Sequence, residues 1–136
     1  KPRTRVLNLT VKEFKYTQVN NPALGSSSTQ TPVAGDLLVF SATLANAAGA
    51  RVGTLESSCT VTVGGVNWNA ICYSLYALKS GQVDALSRSS AQAPDFTASV
   101  VGGSGTYAGA RGRLSERVTP NAMPGAPVHE TITLTG

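Results

Sequence analysis

Val100-Val101-Gly102-Gly103-Ser104-Gly105-Thr106-Tyr107-Ala108-Gly109-Ala110-Arg111-Gly112-Arg113-Leu114 holds five of the fourteen glycines in the chain. A strand-like run, Phe96 to Val101, leads into it, and a second, Arg113 to Val118, leads out. Gly102-Gly103-Ser104-Gly105 can take positive φ without steric cost, so it reads as a tight turn or bulge between strands. Gly109 and Gly112 fall in or beside the next strand, where glycine marks a bend or a close backbone approach. A strongly curved sheet needs such corners, and a small closed barrel is the commonest reason for one. A phosphate-cradling loop is the competing use of Gly-Gly-x-Gly. It requires a following helix, and here a strand-like run follows with no Lys-Ser/Thr pair to close the loop.

The rest of the chain agrees with a β-rich fold. The 136 residues suffice for one domain, 1–136, with a real core. Only 13% are charged, which suits strands better than a helical bundle. The formal charge of +4 comes from scattered basic residues, with no dense stripe interleaved with aromatics, so nucleic acid is not an expected partner. No apolar run approaches a membrane span. The chain opens at Lys1 rather than Met, so an upstream segment, signal or tag, is expected to have been removed.

Val6 to Tyr16 alternates as a half-buried strand should, with Leu7, Leu9 and Val11 on one face. Continued alternation places Glu13 and Lys15 on that inner face. The other reading leaves Glu13 solvated at the rim while Phe14 and Tyr16 turn inward. Asn8-Leu9-Thr10 matches a glycosylation sequon but lies mid-strand and carries no weight. Gln18 to Val33 has no periodicity and contains Asn20-Asn21-Pro22 and Ser26-Ser27-Ser28, so it is a long loop and a candidate lid.

Gly35-Asp36 starts a second strand, Leu37 to Leu44, and Arg51 to Val63 forms a third, with Gly53 as an expected bulge. In the third strand the face with Leu55, Cys59 and Val61 is the inner one. Gly64 to Asn67 makes a hairpin, and Trp68 to Leu78 returns. Pairing Val63 with Trp68 puts Cys59 directly opposite Cys72, close enough for a cystine across two neighbouring strands. Two free thiols on a barrel wall are the alternative. A cystine implies export, and free thiols a cytoplasmic protein. With one His and two Cys, no metal site is expected.

Strands Gln82 to Arg88 and Val128 to Leu134 complete the set. The expected architecture is an all-β, eight-stranded antiparallel closed β-barrel, which removes exposed strand edges and leaves room for one small ligand. His129 is the single histidine. With no nucleophile elbow in the sequence, it reads as a structural strand residue rather than part of a hydrolase.

The glycine stretch Val100 to Gly112 resembles the signature of the allene oxide cyclase and dirigent barrel superfamily, in its bacterial members as well as its plant ones. Gly35-Asp36-Leu37-Leu38-Val39-Phe40, Arg51-Val52-Gly53 through Val61, and Tyr73 to Val83 resemble other strands of that family in the same order. The resemblance implies an apolar cavity, no cofactor, and a homodimer or homotrimer. Plant members cyclise an allene oxide or steer phenol coupling, and bacterial members cyclise polyketides, some by cycloaddition. In the plant cyclases a cavity glutamate is followed nine residues later by a proline, which Glu13 and Pro22 match, and a cavity cysteine matches Cys59. Lys15 and Ala42 replace two family asparagines, and the family's catalytic tyrosine has no counterpart between Ser89 and Ala93. The resemblance therefore implies a cyclisation-type site rather than the allene oxide substrate itself.

Two functions follow. One is a cyclase or isomerase that folds an apolar polyketide- or lipid-like substrate. In it Glu13 is the base or electrostatic anchor, Lys15 its partner or a carbonyl polariser, and Phe40, Trp68, Tyr73 and Tyr76 form the cavity wall. The other is a non-catalytic, exported, dirigent-like or lipocalin-like barrel that binds or steers a small molecule.

Overall fold

The computed structural model describes residues 4–20, 31–91, 96–117 and 128–135. Pro22, most of the candidate lid and the proline-rich stretch before the last strand lie outside the described residues.

Eight strands run β1 (Thr4–Val19), β2 (Leu37–Ala45), β3 (Arg51–Val63), β4 (Asn69–Leu78), β5 (Gly81–Ser90), β6 (Phe96–Gly105), β7 (Arg111–Arg117) and β8 (Val128–Thr135). Each pairs antiparallel with the next, and β8 returns to β1 to close the barrel. Period-2 alternation puts one face of every strand inside. Leu9, Leu44, Leu55, Val83, Val100, Leu114 and Ile132 form the main core, and removing their apolar surface from water is the chief stabilising term.

One end of the barrel is plugged. The chain between β6 and β7 folds back so that Tyr107 enters the core, with Arg5 stacked over its ring 5.4 Å from the centroid. The glycine-rich stretch builds this plug, though not in the expected way. Gly102 to Gly105 continue β6, and the tight turn falls after them, closed by hydrogen bonds from Tyr107 N to Ser104 O (3.0 Å) and from Ala110 N to Tyr107 O (3.0 Å). Gly103 is there because of a close approach. A Cβ at that position would stand 2.4 Å from the Tyr107 carbonyl oxygen and 2.5 Å from that of Gln82. The bulge falls one residue earlier, at Val101, which has no partner between the Asp84–Gly102 and Ala85–Val100 pairs.

A second bulge decides the geometry of the open end. Lys12 pairs with Thr43 but Lys15 with Ser41, so β1 carries one extra residue between them. Glu13 sits there with φ of 51°, a left-handed conformation that a residue other than glycine rarely takes. The extra residue exchanges the two faces of the strand. Leu9 and Val11 point inward before it. After it the even residues share the inner side, with Tyr16 paired to Phe40 and Gln18 to Leu38. By register Phe14 and Tyr16 lie on the inner side, as in the second of the two readings of β1, and Glu13 is exposed, but both aromatics stay about half exposed.

Candidate functional site

Toward the other end, the described residues line a cavity of about 330 Å³, near the lower limit of ligand pockets, which run from roughly 300 to 1,000 Å³. Leu55, Val11 and Val128 give it apolar walls, and Phe14 and Phe40 stand on the β1–β2 side, ring centroids 5.3 Å apart. Tyr16 also packs on Phe40, with ring centroids 5.1 Å apart. Phe14 and Tyr16 are about half exposed (51% and 49%), large aromatics left in solvent beside the open cavity.

The Cys59–Cys72 disulfide is present and forms part of the cavity wall. The expected register holds along most of the hairpin, although Val63 pairs with Asn69 because of an irregularity just before the turn. The cystine thus removes Cys59 from thiol chemistry. Beside it, Ser57 and Ser74 face each other across β3 and β4 with their hydroxyl oxygens 2.9 Å apart.

The chemistry-bearing group lies deeper. Glu116 on β7 and Glu130 on β8 are direct cross-strand neighbours, and both line the cavity. Glu130 is 3% exposed. The buried Tyr76 hydroxyl donates to Glu130 Oε2 at 2.5 Å. Burial, far from water, is the main force raising the Glu130 carboxyl, which is pushed up to about 8. The hydrogen bond from Tyr76 opposes that rise, and the neighbouring Glu116 adds to it. Tyr76 is held far above its ordinary range by burial first and by the adjacent carboxylates second. At neutral pH Glu130 is therefore a carboxylic acid. Oε2 is engaged by Tyr76, and Oε1 is the oxygen left facing the cavity residues.

The residues singled out in the sequence separate into three groups. Tyr76, Phe40 and Cys59 line the cavity. Glu13 lines its mouth but is exposed, a consequence of the bulge. Lys15, Trp68 and Tyr73 do not line it. Lys15 is exposed beyond the face switch. Trp68 is half-buried against the small cluster of Leu38, Cys59, Val61, Ala70 and Cys72. Tyr73 is 46% exposed on the outer face of β4, because it is one residue out of phase with the inward Cys72 and Ser74. His129 pairs with Thr10 through a 3.2 Å side-chain contact, away from the cavity lining. Glu116 and Glu130 were missed. In sequence Glu130 is one polar residue among the alternating Val-His-Glu-Thr-Ile. The available signal was its phase, the same as that of Val128, Ile132 and Leu134.

Solved structures align with this barrel over nearly its whole length. Pyocyanin demethylase superimposes with a TM-score of 0.74 at 24% identity, covering 96% of this chain and 99% of that one. AbnU, an exo-specific intermolecular Diels-Alderase, gives 0.72 at 18%, covering 100% and 99%. The pterocarpan synthase dirigent protein GePTS1 gives 0.75 at 14%, covering 99% and 86%. The chain has the allene oxide cyclase/dirigent-like barrel fold. No protein-family model and no curated protein matches its sequence. Among the described residues of this dirigent-like barrel, no helix is long and apolar enough to cross a membrane. No group of three or more His, Cys, Asp and Glu side chains among them is placed to hold a metal ion.

Proposed function

We propose that this protein is a small-molecule cyclase or isomerase that folds an apolar, polyketide- or lipid-like substrate inside the barrel and activates it with Glu130. The observation that carries this reading is a buried carboxyl, Glu130, that accepts a hydrogen bond from Tyr76 and faces Glu116 across the strands in the wall of a largely apolar chamber. The apolar walls hold the reacting segments in one conformer, which offsets the entropy the reaction would otherwise lose. Glu130 donates a hydrogen bond to a substrate oxygen that gains electron density in the transition state, and the low dielectric of the chamber strengthens that bond. Tyr76 fixes the orientation of the carboxyl group. Glu13, at the mouth, serves as an electrostatic anchor, while Lys15 has no place in the chamber. Similarity in fold to a Diels-Alderase agrees with a cyclisation role.

The second reading is the exported steering or binding barrel. It is favoured by the cystine, which suits an oxidising compartment, and by the similarity in fold to a dirigent protein. In either case the apolar outer row of Val39, Ile71, Tyr73 and Leu86 supports a homo-oligomer. The deciding experiment is native mass spectrometry of protein recovered from the cells that make it, followed by incubation of any retained compound with wild type and Glu130→Gln. Conversion by wild type and loss of conversion in the variant establish the cyclase. Retention without conversion by either leaves the binding barrel.

A further inference from the structure

The charges around the cavity differ in sign from those of the protein as a whole. The chain carries a formal +4. Among the described residues, the acidic side chains lining the cavity are the carboxyls Glu13, Glu116 and Glu130 and the Tyr76 hydroxyl, against one cation, Lys12. Glu116 and Glu130 stand directly opposite each other across β7 and β8, and Glu130 is buried. Phe14 and Phe40 supply flat apolar surface at the same cavity.

We propose that the cavity selects uncharged planar molecules that present a proton-accepting atom to Glu130, and rejects anions. The inference rests on the cavity being the small-molecule site. It narrows the substrate class proposed above: a conjugated ring system or enone with a basic nitrogen or carbonyl fits, and a chain that brings a carboxylate to this end does not. An arriving acceptor becomes the partner of the proton on Glu130. A carbonyl oxygen receives a hydrogen bond. A basic ring nitrogen receives the same hydrogen bond through its lone pair, and the proton stays on Glu130. No other reactant is needed. An arriving carboxylate meets a second negative charge where water is scarce and the repulsion is poorly screened. The volume of about 330 Å³ fits a compact ring system rather than a long extended chain.

Three matched planar probes test this in neutral buffer: acridine, with a basic ring nitrogen; anthracene, with none; and anthracenecarboxylate, an anion. Acridine is expected to bind at least roughly tenfold more tightly than anthracenecarboxylate. Acridine is also expected to bind more tightly than anthracene, because only acridine offers Glu130 a lone pair. Glu130→Leu, which has no proton to donate, should remove that advantage while anthracene still binds, and Glu116→Gln should reduce the deficit of anthracenecarboxylate. The inference is overturned, with the cavity still a small-molecule site, if anthracene binds but anthracenecarboxylate matches acridine, or if acridine binds no more tightly than anthracene. If none of the three binds, the small-molecule reading of the cavity falls, and this inference with it.

Discussion

Glu116 and Glu130 stand directly opposite one another across β7 and β8, both on the cavity face. Like charges in that relation destabilise a sheet, and in a chamber lined by Leu55, Val11 and Val128 the cost is greater than at a surface. Keeping Glu130 protonated removes that repulsion, in line with the burial that raises its carboxyl. Tyr76 secures it from one side by donating to Glu130.

Stability should fall as pH rises. Below about pH 4.5, the ordinary value for the carboxyl, Glu130 is protonated in both folded and unfolded chains. Between there and about 8 the unfolded chain has released the proton and the folded chain has kept it. Unfolding then releases a proton, so each pH unit in that window costs up to about 1.4 kcal/mol, a loss that ends once the folded group also ionises. Urea unfolding midpoints across the window should decline for wild type, and the decline should flatten in Glu130→Gln. A Glu130→Gln midpoint that falls as steeply as wild type would place the proton elsewhere.

Tyr76→Phe removes the donor to Glu130 and leaves a buried acceptor unsatisfied, at a cost of about 1–3 kcal/mol. The hydrogen bond from Tyr76 favours the ionised form of Glu130, so its loss should raise the carboxyl further. Carbon-13 NMR titration of labelled glutamate checks the direction. An unchanged or lower titration midpoint contradicts this account of the triad.

The cystine closes a loop between residues 13 apart in sequence, and removing it should cost about 3 kcal/mol, chiefly by freeing the unfolded chain. Cys59 and Cys72 are also held by the β3–β4 ladder on both sides. The paired Cys59→Ser, Cys72→Ala protein should therefore melt lower yet keep its β-sheet circular dichroism spectrum.

Glu13→Gly should stabilise the barrel by about 1 kcal/mol, because glycine accepts the left-handed φ of 51° that Glu13 tolerates under strain. Thermal unfolding measures the gain. Turnover in the same variant reports separately on the carboxylate: loss of turnover in a more stable protein would mark a residue kept at the mouth for its chemistry.

Much of the barrel could be read from particular residues. Leu7, Leu9 and Val11 in β1 and Leu55, Cys59 and Val61 in β3 gave the inner faces, because a strand repeats every two residues. The hairpin between β3 and β4 gave the cystine, because register propagates from a turn. The same logic failed at Glu13. One inserted residue reverses every face beyond it, and alternating Glu-Phe-Lys-Tyr offers an apolar set on one side and a charged set on the other without marking where the phase changes. Tyr73 failed for a related reason, since β4 is apolar on both faces and composition cannot say which one meets the cavity.

The sequence by itself determined the strands, their hairpin order, the closed barrel and the Cys59–Cys72 bridge, all consequences of short-range periodicity and turn chemistry. Only the tertiary structure decided the site. Glu116 and Glu130 come from strands joined by a segment between Arg117 and Val128, and Tyr76 lies 54 positions before Glu130 in the chain. Barrel closure brings the three together, and burial there gives Glu130 its proton, a property of the environment rather than of the residue.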